Sequence, residues 1–167
     1  MQPLFLIGPM GVGKTTIGKK AAKKLGVEFR DTDKLIVAKH GPITEIFEAF
    51  GEQYFRELET QTLASLENFD GIVATGGGVV VAKENREFLK GKKVAYLSTK
   101  GKQMRTRLLS AKKRPLLKNG YEDWVKIYEE RKPLYLDVCS EEVSIDGRPL
   151  SAVADRCADL YRGDANA

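Results

Sequence analysis

Apolar residues along this chain fall into two kinds of grouping. Short, nearly unbroken runs recur: Leu4-Phe5-Leu6-Ile7, Val27-Glu28-Phe29-Arg30, Gly71-Ile72-Val73-Ala74-Thr75, Val94-Ala95-Tyr96-Leu97 and Val143-Ser144-Ile145. Between them apolar positions repeat every three or four residues, the spacing of one helical face. Ile17, Gly18, Ala21, Ala22 and Leu25 make one such stripe, with Lys19, Lys20, Lys23 and Lys24 on the opposite side. A second helix is expected after Asp31-Thr32-Asp33, running through Lys39 and stopped by Gly41-Pro42. Ile43, Ile46, Phe47 and Phe50 keep helical spacing up to Gly51, and Tyr54, Phe55, Leu58, Thr62, Leu63 and Leu66 mark a longer helix beyond it. That aromatic cluster reads as core. Further helices are expected over 85–89, around Met104, Leu108 and Leu109, and along Trp124, Ile127, Tyr128 and Arg131, the last kinked or ended by Pro133. Leu150, Val153, Ala154, Cys157, Leu160 and Tyr161 give a closing amphipathic helix before Gly163.

Strands alternating with helices at these spacings argue for a three-layer α/β/α fold. Its centre is a mainly five-stranded parallel sheet covered on both faces. The chain shows neither internal repeat nor linker, so residues 1–167 are expected to form a single domain. In such a sheet ligands gather at the carboxyl edge of the strands. Three polar or glycine-rich segments each follow a strand: Gly8 to Thr15, Asp31-Thr32-Asp33 and Gly76-Gly77-Gly78. All three are expected on one rim.

The first of these carries the clearest chemistry. Gly8-Pro9-Met10-Gly11-Val12-Gly13-Lys14-Thr15 reads G-x-x-x-x-G-K-T, between an apolar strand and a helix. Glycines let successive N–H groups turn inward around a phosphate, and the helix N-terminus adds partial positive charge. Gly11, Val12, Gly13, Lys14, Thr15 and Thr16 are therefore nucleotide-binding candidates. Lys14 would reach the β- and γ-phosphates, and the Thr15 hydroxyl would sit on Mg²⁺.

Composition narrows the partners. The net charge of +5 favours anionic ligands, but the lysines are dispersed over helix faces and turns. No basic platform interleaved with aromatics marks a nucleic-acid surface, so small phosphorylated or carboxylated ligands are expected instead. No apolar run approaches a membrane span, and the first strand begins too early to leave room for a targeting peptide. Cys139 and Cys157 show no metal or redox spacing, so reduced thiols and a cytoplasmic location are expected. With one histidine, His40, a histidine metal cage or a Ser-His-Asp triad is excluded by count; His40 itself reads as a solvated loop residue. The stretch 110–120, polar, basic and punctuated by proline and glycine, reads as a mobile surface loop.

Taken together, several pieces resemble the shikimate kinases, small P-loop enzymes of nucleoside-monophosphate-kinase type. They are Gly-Pro-Met-Gly-Val-Gly-Lys-Thr-Thr (8–16), Asp-Thr-Asp (31–33), Phe-Arg-Glu-Leu-Glu (55–59), Thr-Gly-Gly-Gly (75–78), Arg-Pro-Leu-Leu (114–117) and Arg-Lys-Pro-Leu-Tyr (131–135). The likeness runs from residue 3 to about 150. It implies phosphoryl transfer from ATP, with Mg²⁺, to the 3-hydroxyl of shikimate, with Lys14, Asp33 and Arg114 as catalytic residues. It implies that Arg56 and Arg131 grip the acceptor carboxylate, and planar paired guanidinium donors match its two oxygens. Asp33 is implied to bind the ring hydroxyls, and Gly77 and Gly78 to let backbone approach the acceptor. Asp31, with Thr15, is implied to hold Mg²⁺, Asp31 through water, in place of a carboxylate missing after the third strand. A lid over about 110–121 would carry Arg114 to the phosphates, Arg107 and Arg148 would sandwich the adenine, and helices over about 33–66 would bind the acceptor. A monomer is expected, with neither nucleic acid nor membrane as partner.

Plainer readings stand beside these. Arg56 pairing with Glu57 or Glu59, Arg131 with Glu129 or Glu130, and Asp-Thr-Asp as a helix cap are each sufficient locally. A gluconate or nucleoside-monophosphate kinase would share the fold. A GTP-driven switch is disfavoured, because Ser110-Ala111-Lys112 lacks an accompanying D-x-x-G or N-K-x-D.

Overall fold

The computed structural model describes residues 1–109 and 120–163. Among these residues five strands form one sheet: β1 (Leu4–Ile7), β2 (Glu28–Asp31), β3 (Gly71–Ala74), β4 (Lys93–Ser98) and β5 (Glu141–Ser144). Their order is β2-β3-β1-β4-β5 and every pairing is parallel. The three central strands are almost wholly buried, as the unbroken apolar runs predict for a sheet covered on both faces. The charged residues of β2 and β5 fit their place at the edges.

Among the described residues seven helices connect and cover the strands: α1 (Lys14–Leu25), α2 (Thr32–His40), α3 (Ile43–Ser65), α4 (Lys83–Leu89), α5 (Met104–Leu109), α6 (Tyr121–Val138) and α7 (Leu150–Arg162). Consecutive residues of β1 show the layering. The Phe5 ring meets Phe88 of α4 edge-on at 5.7 Å, whereas Leu6 lies beneath Gly18 of α1. Adjacent strand residues point to opposite faces, so α4 and α1 sit on opposite sides. α7 packs beside α1, and α6 beside α4. A second, smaller apolar cluster of Ile36, Ile46, Phe55 and Leu58 joins α2 to α3 outside the sheet. Among the described residues no helix is long and apolar enough to cross a membrane.

Several local expectations need correction. The helix containing Trp124 runs through Pro133 to Val138 instead of ending there. An interior proline costs ~3 kcal/mol in helix propensity. It is offset by a seam of Trp124, Tyr128, Arg131, Tyr135 and Val138, spaced by three and four and all buried. Burying large apolar side chains contributes ~1.5–3 kcal/mol each, enough to carry the helix past the proline. His40 is exposed as expected but closes α2 rather than standing in a loop. Gly51 has φ 87° and ψ 170°, so α3 is two helical arms across a kink. Its aromatics divide: Phe55 is buried, Phe47 partly so, and Phe50 and Tyr54 form an exposed ring pair. The stretch 110–119 lies outside the described residues; Gly120 and Tyr121 lead into α6.

Gly18 tests the packing of α1 on the sheet. Helix propensity alone gives alanine an advantage of ~0.5–1 kcal/mol over glycine. A Cβ there, however, would stand 2.5 Å from the Phe29 ring and 3.2 Å from Leu6 Cδ1. Overpacking of this kind costs ~1–3 kcal/mol. Gly18→Ala is therefore expected to lower the urea midpoint, against its propensity; a raised midpoint would show that α1 is not pressed on Phe29.

Candidate active site

The carboxyl ends of β1, β2 and β3 open into a cleft of about 730 Å³. Its lining includes Gly11, Gly13, Lys14, Thr15 and Thr16 from the first glycine loop, Asp31 and Asp33 from the β2–α2 junction, and Gly76, Gly77 and Gly78 after β3. Arg56 and Glu59 enter from α3 and Arg131 from α6. The three strand-following segments thus share one rim.

The nucleotide half begins where β1 runs out. Gly13 caps α1 with φ 98°, a left-handed conformation that a side chain resists. Lys14 Nζ donates to the carbonyls of Gly8 at 2.5 Å and Pro9 at 2.8 Å, so the loop curls around its own ammonium group. Val12 is fully buried and does not line the cleft, so any contribution it makes to ligand binding is through its backbone. Trp124 of α6 packs over the loop, donating Nε1–H to the Met10 carbonyl at 2.8 Å.

Thr15 and Asp31 meet directly: the Thr15 hydroxyl donates to Asp31 Oδ2 at 2.7 Å. Asp31 Oδ1 accepts from the amides of Asp33 at 2.9 Å and Lys34 at 3.2 Å, so Asp31, not Asp33, caps α2. A hydroxyl and a carboxylate side by side at a phosphate loop form a hard oxygen donor set, which fits Mg²⁺ shared with nucleotide phosphates and water. Among the described residues no group of three or more His, Cys, Asp or Glu side chains forms a metal cage.

The half expected to take the acceptor is built from charged groups inside apolar helix faces. Arg56 is buried on the α3 face that also buries Phe55, Leu58 and Leu63. It donates to Glu59 at 3.0 Å and to Glu52 at 3.3 Å, so the plain Arg56–Glu59 pairing exists, but inside the cleft rather than on the surface. Arg131 belongs to the buried seam of α6; among the described residues no ion pair joins it to Glu129 or Glu130, the plainer reading of its place, and Glu129 pairs with Lys132 at 2.8 Å. Gly76, Gly77 and Gly78 form the floor between these groups. A Cβ on Gly76 would reach Asp33 Oδ1 at 2.8 Å and Glu59 Oε2 at 3.0 Å; one on Gly77 would stand 3.6 Å from Arg131 Nη1; one on Gly78 would overlap the Arg56 guanidinium. Side chains on Gly76 or Gly78 would displace the very groups that face them, whereas one on Gly77 would press first on the Met10 amide at 3.3 Å.

Glu59 is a site residue that motif reasoning passed over. It is 1 % exposed, and its Oε2 has no hydrogen-bond partner among the described residues. Burial pushes its carboxyl up to about 7 against the pull of Arg56 and Arg131, and the charge of Asp33 adds to the rise. The signal was available: an ionisable residue one turn after Arg56, on the same apolar face. Phe47, Ile43 and Thr44 also line the cleft, so part of the aromatic cluster read as core faces the ligand space.

Of the two adenine candidates, Arg148 stands apart from the cleft. Arg148 is exposed in the turn between β5 and α7, at the same edge of the sheet, and is not among the cleft-lining residues. Of Arg107 the structure describes the backbone, in α5; Arg114 lies outside the described residues.

Comparison with known proteins agrees with this geometry. A family model described as shikimate kinase matches residues 10–162. A relative named shikimate kinase from Marinomonas sp. (strain MWYL1) is 41% identical over 166 residues, covering 95% of this chain and 91% of the relative. The solved structure of shikimate kinase from Acinetobacter baumannii in complex with shikimate superposes with a TM-score of 0.90 at 36% identity, covering 100% of this chain and 96% of that one. A gluconokinase from Sinorhizobium meliloti 1021 reaches a TM-score of 0.57 at 15% identity over 96% of this chain and 92% of its own, a likeness of fold alone. With a family model over most of its length and relatives this similar, the chain belongs to the shikimate kinase family.

Proposed function

We propose that this protein transfers the γ-phosphoryl group of ATP to the 3-hydroxyl of shikimate, giving shikimate 3-phosphate and ADP. The observation that carries this reading is the convergence of Asp33, Arg56 and Arg131, distant in sequence, on one cleft with the phosphate loop. An acceptor bearing one carboxylate and several hydroxyls matches two guanidinium groups and one carboxylate.

In the transfer, the acceptor oxygen forms a bond to the γ-phosphorus while the bond to the β–γ bridging oxygen breaks, and ADP departs with that electron pair. The transition state is loose, so the protein mainly positions the reactants and neutralises charge. Lys14 and the N-terminus of α1 meet the phosphate oxygens, and Arg114 is proposed to join them from the lid. Asp33 aligns the attacking hydroxyl and takes its proton late, since a carboxylate is a weak base towards an alcohol. Thr15, and Asp31 through water, would hold Mg²⁺, which would supply charge neutralisation at the phosphates. Arg107 and Arg148 are proposed to flank the adenine. A monomeric, single-domain enzyme is proposed. Two free cysteines fit a cytoplasmic location.

A coupled assay of ADP release with shikimate, with and without Mg²⁺, and with Lys14→Met as the inactive control, tests the reading. Turnover of gluconate or a nucleoside monophosphate in preference to shikimate would overturn it, as would a preference for GTP over ATP.

Two variants probe the acceptor half. Arg131→Lys keeps the charge but loses the fork, and is expected to raise the KM for shikimate by ~10- to 100-fold with little change for ATP. An equal loss for both substrates would contradict the assignment. Glu59 adds a pH dependence. Below about 7 its carboxyl is neutral and cancels less of the Arg56 charge, so an anionic acceptor binds better there. The KM for shikimate is expected to rise between about pH 6 and about pH 8, and Glu59→Gln to flatten that rise. The folded state also holds this proton more tightly than an ordinary carboxyl of 4.5, so stability contributed by Glu59 falls as pH rises from 4.5 to about 7. Thermal melts of wild type and Glu59→Gln across that window check the sign.

A further inference from the structure

The glycine floor of the acceptor half poses a physical problem. Gly76, Gly77 and Gly78 face Asp33, Arg131 and Arg56 in turn, yet glycine has the greatest backbone freedom of any residue and no side chain by which to be held. The flanks are fixed: Thr75 donates its amide to the Leu6 carbonyl at 3.1 Å and its hydroxyl to the same oxygen at 2.8 Å, and Val79 and Val81 turn back on Gly76 and Gly78. The middle residue is held from outside the loop. Tyr135 of α6 donates its hydroxyl to the Gly77 carbonyl at 2.5 Å.

Tyr135 is suited to that task because its own position does not depend on the site. Its ring is wholly buried and stacks on Tyr96 of β4 at 5.0 Å and 26°, with Tyr128 tilted against it at 6.2 Å. Arg131, one helical turn earlier, faces the same hydroxyl. One phenol therefore touches the floor and neighbours one of the two guanidinium groups above it.

We propose that Tyr135 is a positioning residue of the acceptor half, its hydroxyl fixing Gly77 so that Arg56, Asp33 and Arg131 hold the spacing an acceptor requires. The inference rests on the acceptor reading given above. Tyr135 does not reach the reacting atoms. It sets the acceptor's affinity rather than the rate of transfer.

Tyr135→Phe removes the hydroxyl and keeps the ring. Tyr128→Phe is the matched control: its hydroxyl is also buried, 2.6 Å from that of Tyr96 and accepting from the Thr99 amide at 3.3 Å, but it meets no part of the glycine floor. Tyr135→Phe is expected to raise the KM for shikimate roughly tenfold, with kcat and the KM for ATP within about twofold. Tyr128→Phe is expected to leave the KM for shikimate within about twofold while lowering the melting temperature comparably. Amide hydrogen exchange, followed on the same proteins without substrate, is expected to quicken at Gly76 to Gly78 in Tyr135→Phe only. An unchanged shikimate KM in Tyr135→Phe, an equal rise in Tyr128→Phe, or unaltered exchange at the floor overturns the proposal. Absent turnover of shikimate by the wild type would instead sink the acceptor reading, with exchange still judging whether Tyr135 holds the floor.

Discussion

The parallel pairing of β1 with β3 is the constraint on which the rest of the molecule depends. Leu6 stands opposite Ala74, and the ladder continues one residue further through the two bonds from Thr75 to the Leu6 carbonyl. Both strands therefore stop at the same level, and two glycine-rich loops emerge side by side. A slip of one residue would turn Phe5 and Leu6 to the wrong layers and carry Gly76 away from the first loop. The cleft is a consequence of strand register before it is a consequence of any charged side chain.

Given that frame, α3 and α6 do something a purely structural helix avoids. Each carries ionisable groups inside a buried stripe, Arg56 and Glu59 in one and Arg131 in the other. Desolvating such groups costs several kcal/mol per ion before pairing returns part of it. The Arg56–Glu59 bond offsets some of this, and the upward shift of Glu59 shows that it does not offset all. The balance is one that an incoming anion improves. A buried pair of guanidinium groups is poor architecture and a good carboxylate site.

Legibility from the sequence followed the range of the forces involved. The strands, the phosphate loop and its helix could be read because apolar runs and glycine spacing act locally. The rim could be predicted because parallel sheets place strand ends together. Pro133 misled because its cost is local whereas the burial of Tyr135 and Val138 that outweighs it is tertiary. The division of the α3 aromatics was hidden for a similar reason: Phe47 and Phe50 share one helical period, and only the neighbouring α2 decides which is covered. Glu59 lies within a motif, yet in sequence its pairing with Arg56 one turn away reads as a surface contact, and only burial shows otherwise. The convergence of Arg131 with Arg56 rested on resemblance alone, since no periodicity links residues so far apart.

The junction at the start of α2 joins the two halves of the cleft. Asp31 binds Thr15 of the nucleotide side with one oxygen and, with the other, the amide of Asp33, whose side chain faces the acceptor floor. A single carboxylate thus relates the place proposed for the metal and phosphates to the aspartate proposed to bind the acceptor hydroxyls. The distance between them is set by one helix cap and not by two independent loops. Phosphoryl transfer asks mainly for that relation, because a loose transition state leaves the protein little covalent work beyond alignment and charge. A likeness of fold shared with a gluconokinase leaves acceptor choice open for the same reason. On the proposed reading the sheet and its loops align the phosphate, while the buried arginines of α3 and α6 choose the acceptor.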